Sequence, residues 1–166
     1  GTRVPLIVRW PGVVQAGTVS NEPVTGVDFF PTFLDAAGVE KPSTKVLDGE
    51  SLMPLLAGTG QLPDRALYWH FPIYLQAYIK NGPVETRDPV FRTRPGSVIR
   101  HGDWKLHEYF EDGGLELYNL AEDIGESNNL AAENPEKAAE LLAMLRNWRA
   151  EIGAPVPTEA NPEYAP

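Results

Sequence analysis

The chain has 166 residues, of which 42% are hydrophobic, and its 14 basic and 23 acidic residues give a net charge of −9. A chain of this size and composition folds as a globular domain, and its acidic balance argues against a nucleic-acid partner, because phosphate contacts need a cationic surface. The absence of cysteine excludes disulfides and thiolate chemistry, and no apolar run approaches the roughly 20 residues that span a membrane.

A largely apolar run opens the chain within "GTRVPLIVRWPG". Residues Val4 to Trp10, ended by the turn signal Pro11-Gly12, predict a strand that is covered on both faces. Such a strand needs neighbours to pair its backbone groups and to cover its side chains. We therefore expect this chain to be the C-terminal part of a larger protein, whose N-terminal part supplies those neighbours.

A short helix is predicted in "VDFFPTFLDAAG", with Asp28 as its N-cap and Gly38 at its end. The side of this helix expected to face the core carries Phe30, Phe33, Leu34 and Ala37. The following "LDGESLMPLLAG" predicts an anchoring loop and a helical turn, capped by Ser51 or Asp48. Residues 1–64 are thus expected to form the end of an α/β core, with one strand, one helix and this loop.

Beyond residue 64 the pattern changes to short strands. Four β-like runs, "RALYWHF", "GSVIR", "DWKLHEYF" and "LELYNL", are separated by turn signals such as the "DG" of "EDGG". Residues 65–153 are therefore predicted to contain a four-stranded antiparallel sheet, with Trp104 and Trp148 in the core where a helix meets it.

That helix is the clearest in the chain. It is predicted over residues 135–152, with Asn134 as its cap and Gly153 as its end. Residues 154–166 are rich in proline and are expected to form an extended tail.

Six segments resemble the C-terminal end of sulfatases in their order and spacing, from Gly1 to about Trp148. They are "GTRVPLIVRWPG", "VDFFPTFLDAAGV", "LDGESLMPLLAG", "YWHFPIY", "SVIRHGDWKL" and "LELYNLAEDIGESNNLA". Sulfatases of this kind are formylglycine-dependent, arylsulfatase-like enzymes of the alkaline phosphatase superfamily. The resemblance implies an α/β fold, α+β in this fragment, which is the C-terminal part of an alkaline phosphatase-like fold ending in the small sheet and helix.

The resemblance also implies hydrolysis of sulfate esters. In such enzymes a Cys or Ser of a Cys/Ser-x-Pro-Ser-Arg motif becomes formylglycine, and a divalent cation, usually calcium, holds the sulfate. This chain has no Cys, and none of its Ser residues begins that motif. We therefore expect no catalytic residue and no metal ligand here, with formylglycine and Ca2+ in the full-length enzyme, and no activity of this fragment alone.

His70 is a candidate contact for the substrate. It lies among aromatic residues at the end of a predicted strand, before a long segment without periodicity, Pro72 to Pro95. A histidine in such surroundings is often a packed residue with one hydrogen bond, whereas long loops in compact domains tend to be lids or binding loops. In sulfatases a "WHYPHY"-like stretch lies close to the mouth of the active site. Both interpretations of His70, substrate contact and packed histidine, stay open.

Tyr74, Arg92 and Arg94 are the other candidate substrate-binding residues. Aromatic faces stack on sugar or aryl rings, and guanidinium groups hydrogen-bond to sulfate oxygens. The alternative is a solvated loop whose arginines balance neighbouring carboxylates. His101 and His107 are expected to be exposed.

The expected partners are a sulfated small molecule or saccharide and the N-terminal part of the same protein, with no nucleic acid and no membrane. The resemblance suggests a periplasmic or secreted location. Two alternatives stay open. One is a fragment of a related phosphodiesterase or phosphonate monoester hydrolase, and the other is a stand-alone sugar-binding or interaction module, against which the apolar N-terminal run argues.

Overall fold

The computed structural model describes residues 2–76 and 91–159, and for Gln76, Phe91 and Arg92 it describes the backbone alone. The chain divides into two compact units, Gly1–Asp64 and Arg65–Pro166. Within the described ranges, no helix combines the length and the apolar character needed to cross a membrane.

Helices are the regular structure of the first unit. A 3-10 turn, Gly26–Asp28, leads into helix α1, Phe29–Ala37, and a short helix α2, Met53–Leu56, follows. Gly38 ends α1 in the left-handed region. The N-cap of α2 is Leu52 and no side chain caps this helix, so the predicted cap by Ser51 or Asp48 is wrong, although the Ser51 hydroxyl accepts a hydrogen bond from the Met53 amide at 3.3 Å. No strand is present at the predicted residues Val4–Trp10. The described part of this unit offers no second strand to pair with it, and Ile7 is 89% exposed.

Two buried polar side chains hold the first unit together. The carboxylate of Asp28 accepts hydrogen bonds from the backbone amides of Thr25 at 2.8 Å and Glu50 at 2.9 Å. The hydroxyl of Thr32 donates to the Asp28 carbonyl at 2.6 Å and accepts from the Leu52 amide at 2.9 Å. These bonds pin the "LDGESL" loop to the start of α1.

The predicted packing of α1 is corrected on two points. Phe30 and Phe33 are 53% and 66% exposed, and the helix buries Pro31 and the polar Thr32 instead. Asp28 makes no side-chain cap to α1, because its two carboxylate oxygens bind amides of other segments. The period of the apolar residues predicted the helix, but it did not predict which side is covered by the rest of this unit.

The second unit holds two antiparallel sheets and a long helix. The strands are β1 (Ala66–Phe71), β2 (Leu75–Gln76), β3 (Phe91–Thr93), β4 (Gly96–His101), β5 (Trp104–Tyr109) and β6 (Leu115–Asn119), and the helix is α3 (Pro135–Ile152). Strands β1, β4, β5 and β6 lie in that order in one sheet, and β2 pairs with β3 in a separate ribbon. All pairings are antiparallel. The predicted four-stranded antiparallel sheet with a C-terminal helix is confirmed.

The predicted turns are also present. His101 pairs with Trp104, so Gly102 and Asp103 form a two-residue turn between β4 and β5, with Gly102 at a φ of 57°. Gly113, at a φ of 67°, lies in the connection between β5 and β6. Because only glycine adopts this region readily, the two positions fix where the strands reverse.

The core lies between α3 and one face of the four-stranded sheet. Its most buried members are Ile99, Leu106, Leu117, Ala138, Leu141 and Leu145. The ring of Trp148 on α3 stacks on Tyr68 of β1, with centroids 4.7 Å apart and 4° between the planes. Trp104 packs against the same core. Both tryptophans therefore lie where the sequence predicted.

The segment from Pro72 to Pro95 was predicted to lack periodicity. Near its two ends it contains the strands of the ribbon, β2 and β3. Leu75 of β2 pairs with Thr93 of β3. Residues 77–90 lie outside the described residues. Because β2 follows β1 directly and β3 precedes β4 directly, the ribbon adjoins the end of the sheet where β1 finishes and β4 begins.

Candidate functional site

The candidate residues adjoin one end of the four-stranded sheet, where β1 and β5 finish and β4 and β6 begin. The register places Phe71 opposite Gly96, and Gly96 opposite Tyr109, at this end. The site residues predicted from the sequence are His70, Tyr74, Arg92 and Arg94. His70 lies on β1, and the other three lie within or next to the ribbon. The side chain of Arg92 is outside the described part of the structure.

His70 is held at both ring nitrogens. Its Nε2–H donates to the carbonyl oxygen of Pro155 at 2.8 Å, and its Nδ1 lies 2.8 Å from the hydroxyl of Ser97. Because a carbonyl only accepts, the proton is on Nε2, and in the neutral ring the Ser97 hydroxyl donates to Nδ1. The ring also packs against Phe110, with 5.7 Å between centroids. This geometry favours the packed histidine, since both nitrogens are used by the protein itself.

Tyr74 and Arg94 meet at the carboxylate of Glu111, in the connection between β5 and β6. One oxygen of Glu111 accepts a hydrogen bond from the Tyr74 hydroxyl, and the other lies 2.7 Å from Nη1 of Arg94. The Tyr74 residue is 44% exposed, and the Arg94 side chain is 23% exposed. The cluster therefore presents an aromatic ring and a guanidinium group at the surface beside the ribbon.

A second carboxylate near this end is buried and belongs to the packing of α3. Nη1 of Arg149 lies 2.6 Å from Oε2 of Glu108, and Nη2 of Arg146 donates to Oε1 at 2.7 Å. The Arg149 guanidinium also lies 5.1 Å from the ring centroid of Phe110. Since the buried carboxylate of Glu108 is paired with two arginines of α3, we assign the Glu108 cluster to structure.

A third cluster lies on β5, on the opposite face of the sheet from the core. Nζ of Lys105 donates to both oxygens of Glu126, at 2.7 and 2.9 Å, and Nε2 of His107 lies 3.3 Å from the same carboxylate. The hydrogen bond from His107 and the ion pair with Lys105 lower the pKa of Glu126 to about 2, against the opposing effect of burial. The expectation that His107 is exposed is wrong, because the loop that carries Glu126 leaves only 21% of its side chain accessible.

Among residues 2–76 and 91–159, no group of three or more His, Cys, Asp or Glu side chains could hold a metal ion. The described residues therefore do not fit the oxygen cage that Ca2+ requires.

The family model described as "N-sulphoglucosamine sulphohydrolase, C-terminal" matches residues 1–151. The chain belongs to the sulfatase family. It is 39% identical over 170 residues to a sulfatase of Formosa agariphila, in an alignment that covers 93% of this chain and 28% of that protein.

Solved structures of sulfatases and related hydrolases share the fold. BT4656, in complex with its substrate D-glucosamine-2-N,6-O-disulfate, matches with a TM-score of 0.70 and 34% identity, covering 95% of this chain and 30% of that one. The phosphonate monoester hydrolase of Silicibacter pomeroyi matches with a TM-score of 0.59 and 26% identity, covering 86% and 28%. The predicted fold class, the C-terminal part of an alkaline phosphatase-like fold, is confirmed. This sulfatase chain spans less than a third of the length of these proteins.

Sequence reasoning on this sulfatase region missed three partners of the site: Ser97, Glu111 and Pro155. Glu111 stands directly before the Asp112-Gly113 turn, so the hairpin register was the signal that could have placed it near Arg94. No local pattern links His70 to Pro155, because the two are 85 positions apart.

Proposed function

We propose that this chain forms the substrate-entrance region of an enzyme that hydrolyses sulfate esters of saccharides, with sulfated amino sugars as the first substrate class to test. The observation that carries the proposal is the likeness to BT4656, which extends over 95% of this chain at 34% identity. The substrate of that protein is a disulfated glucosamine. A polyanionic sugar also suits a surface with a guanidinium group and an aromatic ring, which bind sulfate oxygens and a sugar face respectively.

Tyr74 and Arg94 are the residues that we place next to the substrate. Both side chains are partly accessible beside the ribbon. Arg92 belongs to the same proposal through its position on β3. For His70 we propose an indirect role in which it supports this end of the sheet, because its two nitrogens already bind Ser97 and Pro155.

The nucleophile and the cation are proposed to come from outside these residues. The sequence has no Cys and no Ser-x-Pro-Ser-Arg motif, and the described residues offer no metal cluster. Formylglycine and Ca2+ would then be held by another part of the same enzyme. We also propose a periplasmic or secreted location, which cell fractionation with an antibody against this region tests.

The test compares the whole enzyme with the 166-residue chain. Three substrates are assayed: glucosamine-2-N,6-O-disulfate, an aryl sulfate and an aryl phosphonate monoester. We expect the whole enzyme to release sulfate from the sugar, and the isolated chain to show no turnover above a blank. Turnover by the isolated chain, or no sulfate release by the whole enzyme, would overturn the proposal.

The phosphonate substrate tests the alternative activity. The phosphonate monoester hydrolase of Silicibacter pomeroyi matches this chain with a lower TM-score and lower identity than BT4656 does. We therefore expect kcat/KM for sulfate esters to exceed kcat/KM for the phosphonate by at least about tenfold, which is ~1.4 kcal/mol of transition-state stabilisation. The reverse preference would assign the enzyme to phosphonate hydrolysis.

A further inference from the structure

We infer that Glu111 is a positioning residue, which sets Tyr74 and Arg94 against the end of the sheet and thereby tunes the binding of anionic saccharides. This inference rests on the proposed function. Glu111 itself need not touch the substrate, because its effect is exerted through the two side chains that its carboxylate holds.

The backbone register brings the three residues together. Leu75 pairs with Thr93 in the ribbon, and Tyr74 and Arg94 directly flank this pair in the chain. The Phe110 amide donates to the carbonyl of Pro95 at 3.0 Å, which continues the β4–β5 pairing one step beyond Gly96 and Tyr109. Glu111 directly follows Phe110 and Arg94 directly precedes Pro95, so this hydrogen bond brings Glu111 and Arg94 close enough to form their ion pair.

One carboxylate therefore binds the residues that flank both strands at one end of the ribbon. Its first oxygen binds the hydroxyl of Tyr74, just before β2, and its second binds the guanidinium of Arg94, just after β3. The residue before β2 and the residue after β3 are thus both bound to the connection between β5 and β6. A fixed guanidinium plane binds a planar set of anionic oxygens better than a mobile one, because less conformational entropy is lost on binding.

The simpler interpretation is that this is an ion pair of the surface with no bearing on binding. Exposed ion pairs contribute little to stability. The two interpretations differ in the direction they predict. Without a positioning role, loss of the Glu111 charge leaves the KM of an anionic sugar unchanged or lowers it, because a repelling charge is removed, whereas a positioning role raises it.

The experiment uses the whole enzyme with three single variants. Glu111→Gln keeps an acceptor oxygen for Tyr74 but removes the charge that faces Arg94. Tyr74→Phe removes only the hydroxyl that binds Glu111. Glu122→Gln makes the same charge change in an exposed residue after β6, at the opposite end of the sheet.

We expect Glu111→Gln to raise the KM for glucosamine-2-N,6-O-disulfate by about fivefold or more, with kcat and the KM of a small aryl sulfate within about twofold of wild type. The melting temperature should change by no more than about 2 °C. Tyr74→Phe should raise the same KM by a smaller factor, and Glu122→Gln should leave it unchanged. An unchanged or lowered KM in Glu111→Gln, or an equal rise in Glu122→Gln, would overturn the inference.

Hydrogen exchange separates failure of this inference from failure of the proposed function. In Glu111→Gln the amides of β2 and β3 should exchange faster than in wild type, while those of β4 and β5 should not. If the wild-type enzyme does not hydrolyse the sugar, the proposed function fails, and unchanged exchange in the ribbon would then overturn the positioning role as well. If the wild type hydrolyses the sugar and neither KM nor exchange changes, only this inference fails.

Discussion

His70 on β1 and Ser97 on β4 lie opposite each other in the sheet, with 2.8 Å between the ring Nδ1 and the hydroxyl oxygen. Ser97 is 1% exposed, and the second nitrogen of the ring binds the carbonyl of Pro155 beyond the end of α3. One imidazole therefore joins two strands and the segment that follows the last helix.

Replacement of His70 by alanine should lower stability more than activity. The change leaves the buried Ser97 hydroxyl without its partner, which costs about 2 kcal/mol of the free energy of unfolding. Thermal unfolding and steady-state kinetics of the whole enzyme measure the two effects. Ser97→Ala and the double variant His70→Ala/Ser97→Ala are the matched controls, because removing both partners should cost less than the sum of the two single losses. A large fall in kcat/KM with an unchanged melting temperature would instead make His70 a substrate contact.

Glu126 should make stability depend on pH in the acidic range. Its pKa is lowered from 4.5 to about 2 in the folded protein, so its ionised form stabilises the fold at every pH above about 4.5. That contribution is lost progressively as the pH falls from about 4.5 towards 2. Urea unfolding of wild type and Glu126→Gln across this range measures it, and the difference between the two proteins should shrink as the pH is lowered. A difference that is constant across the range would contradict the assignment.

Gly49→Ala should destabilise the first unit. A Cβ at position 49 would lie 2.2 Å from the carbonyl oxygen of Val27 and 2.7 Å from the amide nitrogen of Asp28, so backbone must move. We expect a loss of about 3 kcal/mol, as for a strongly overpacked core position. Gly26→Ala is the matched control, because a Cβ there meets no atom within 4 Å. Equal urea midpoints for the two variants would show that the loop does not approach α1 this closely.

The two arginines that bind Glu108 should differ in their contribution to the free energy of unfolding. The side chain of Arg149 is 9% exposed and that of Arg146 is 59% exposed, although each lies within 2.7 Å of the carboxylate. Removing the buried partner leaves a poorly solvated charge, so Arg149→Ala should cost about 3 kcal/mol, whereas Arg146→Ala should cost less than about 1 kcal/mol. Denaturant unfolding of both variants checks the order, and equal losses would contradict it.

The second unit could be predicted from the sequence because its contacts follow the chain. Strands β4, β5 and β6 pair with their sequence neighbours through glycine turns, so period-two alternation and turn residues suffice to specify them. The apolar side of α3 then packs on the one apolar face of this sheet. The first unit was predicted less well. The amides of Glu50 and Leu52 bind polar side chains at the start of α1, and the spacing of apolar residues gives no information about these hydrogen bonds.

The sequence by itself determined the family, the fold class, the sheet with its helix, and the region in which the candidate residues lie. Only the tertiary structure decided which groups those residues contact. His70 turned out to be held by Ser97 and Pro155, and Arg94 by Glu111. The physical reason is that a side-chain hydrogen bond depends on distances of about 3 Å between atoms that the chain itself does not place together. The spacing of apolar residues shows which face of a helix or strand is apolar. It carries no information about a polar partner that is distant in the sequence.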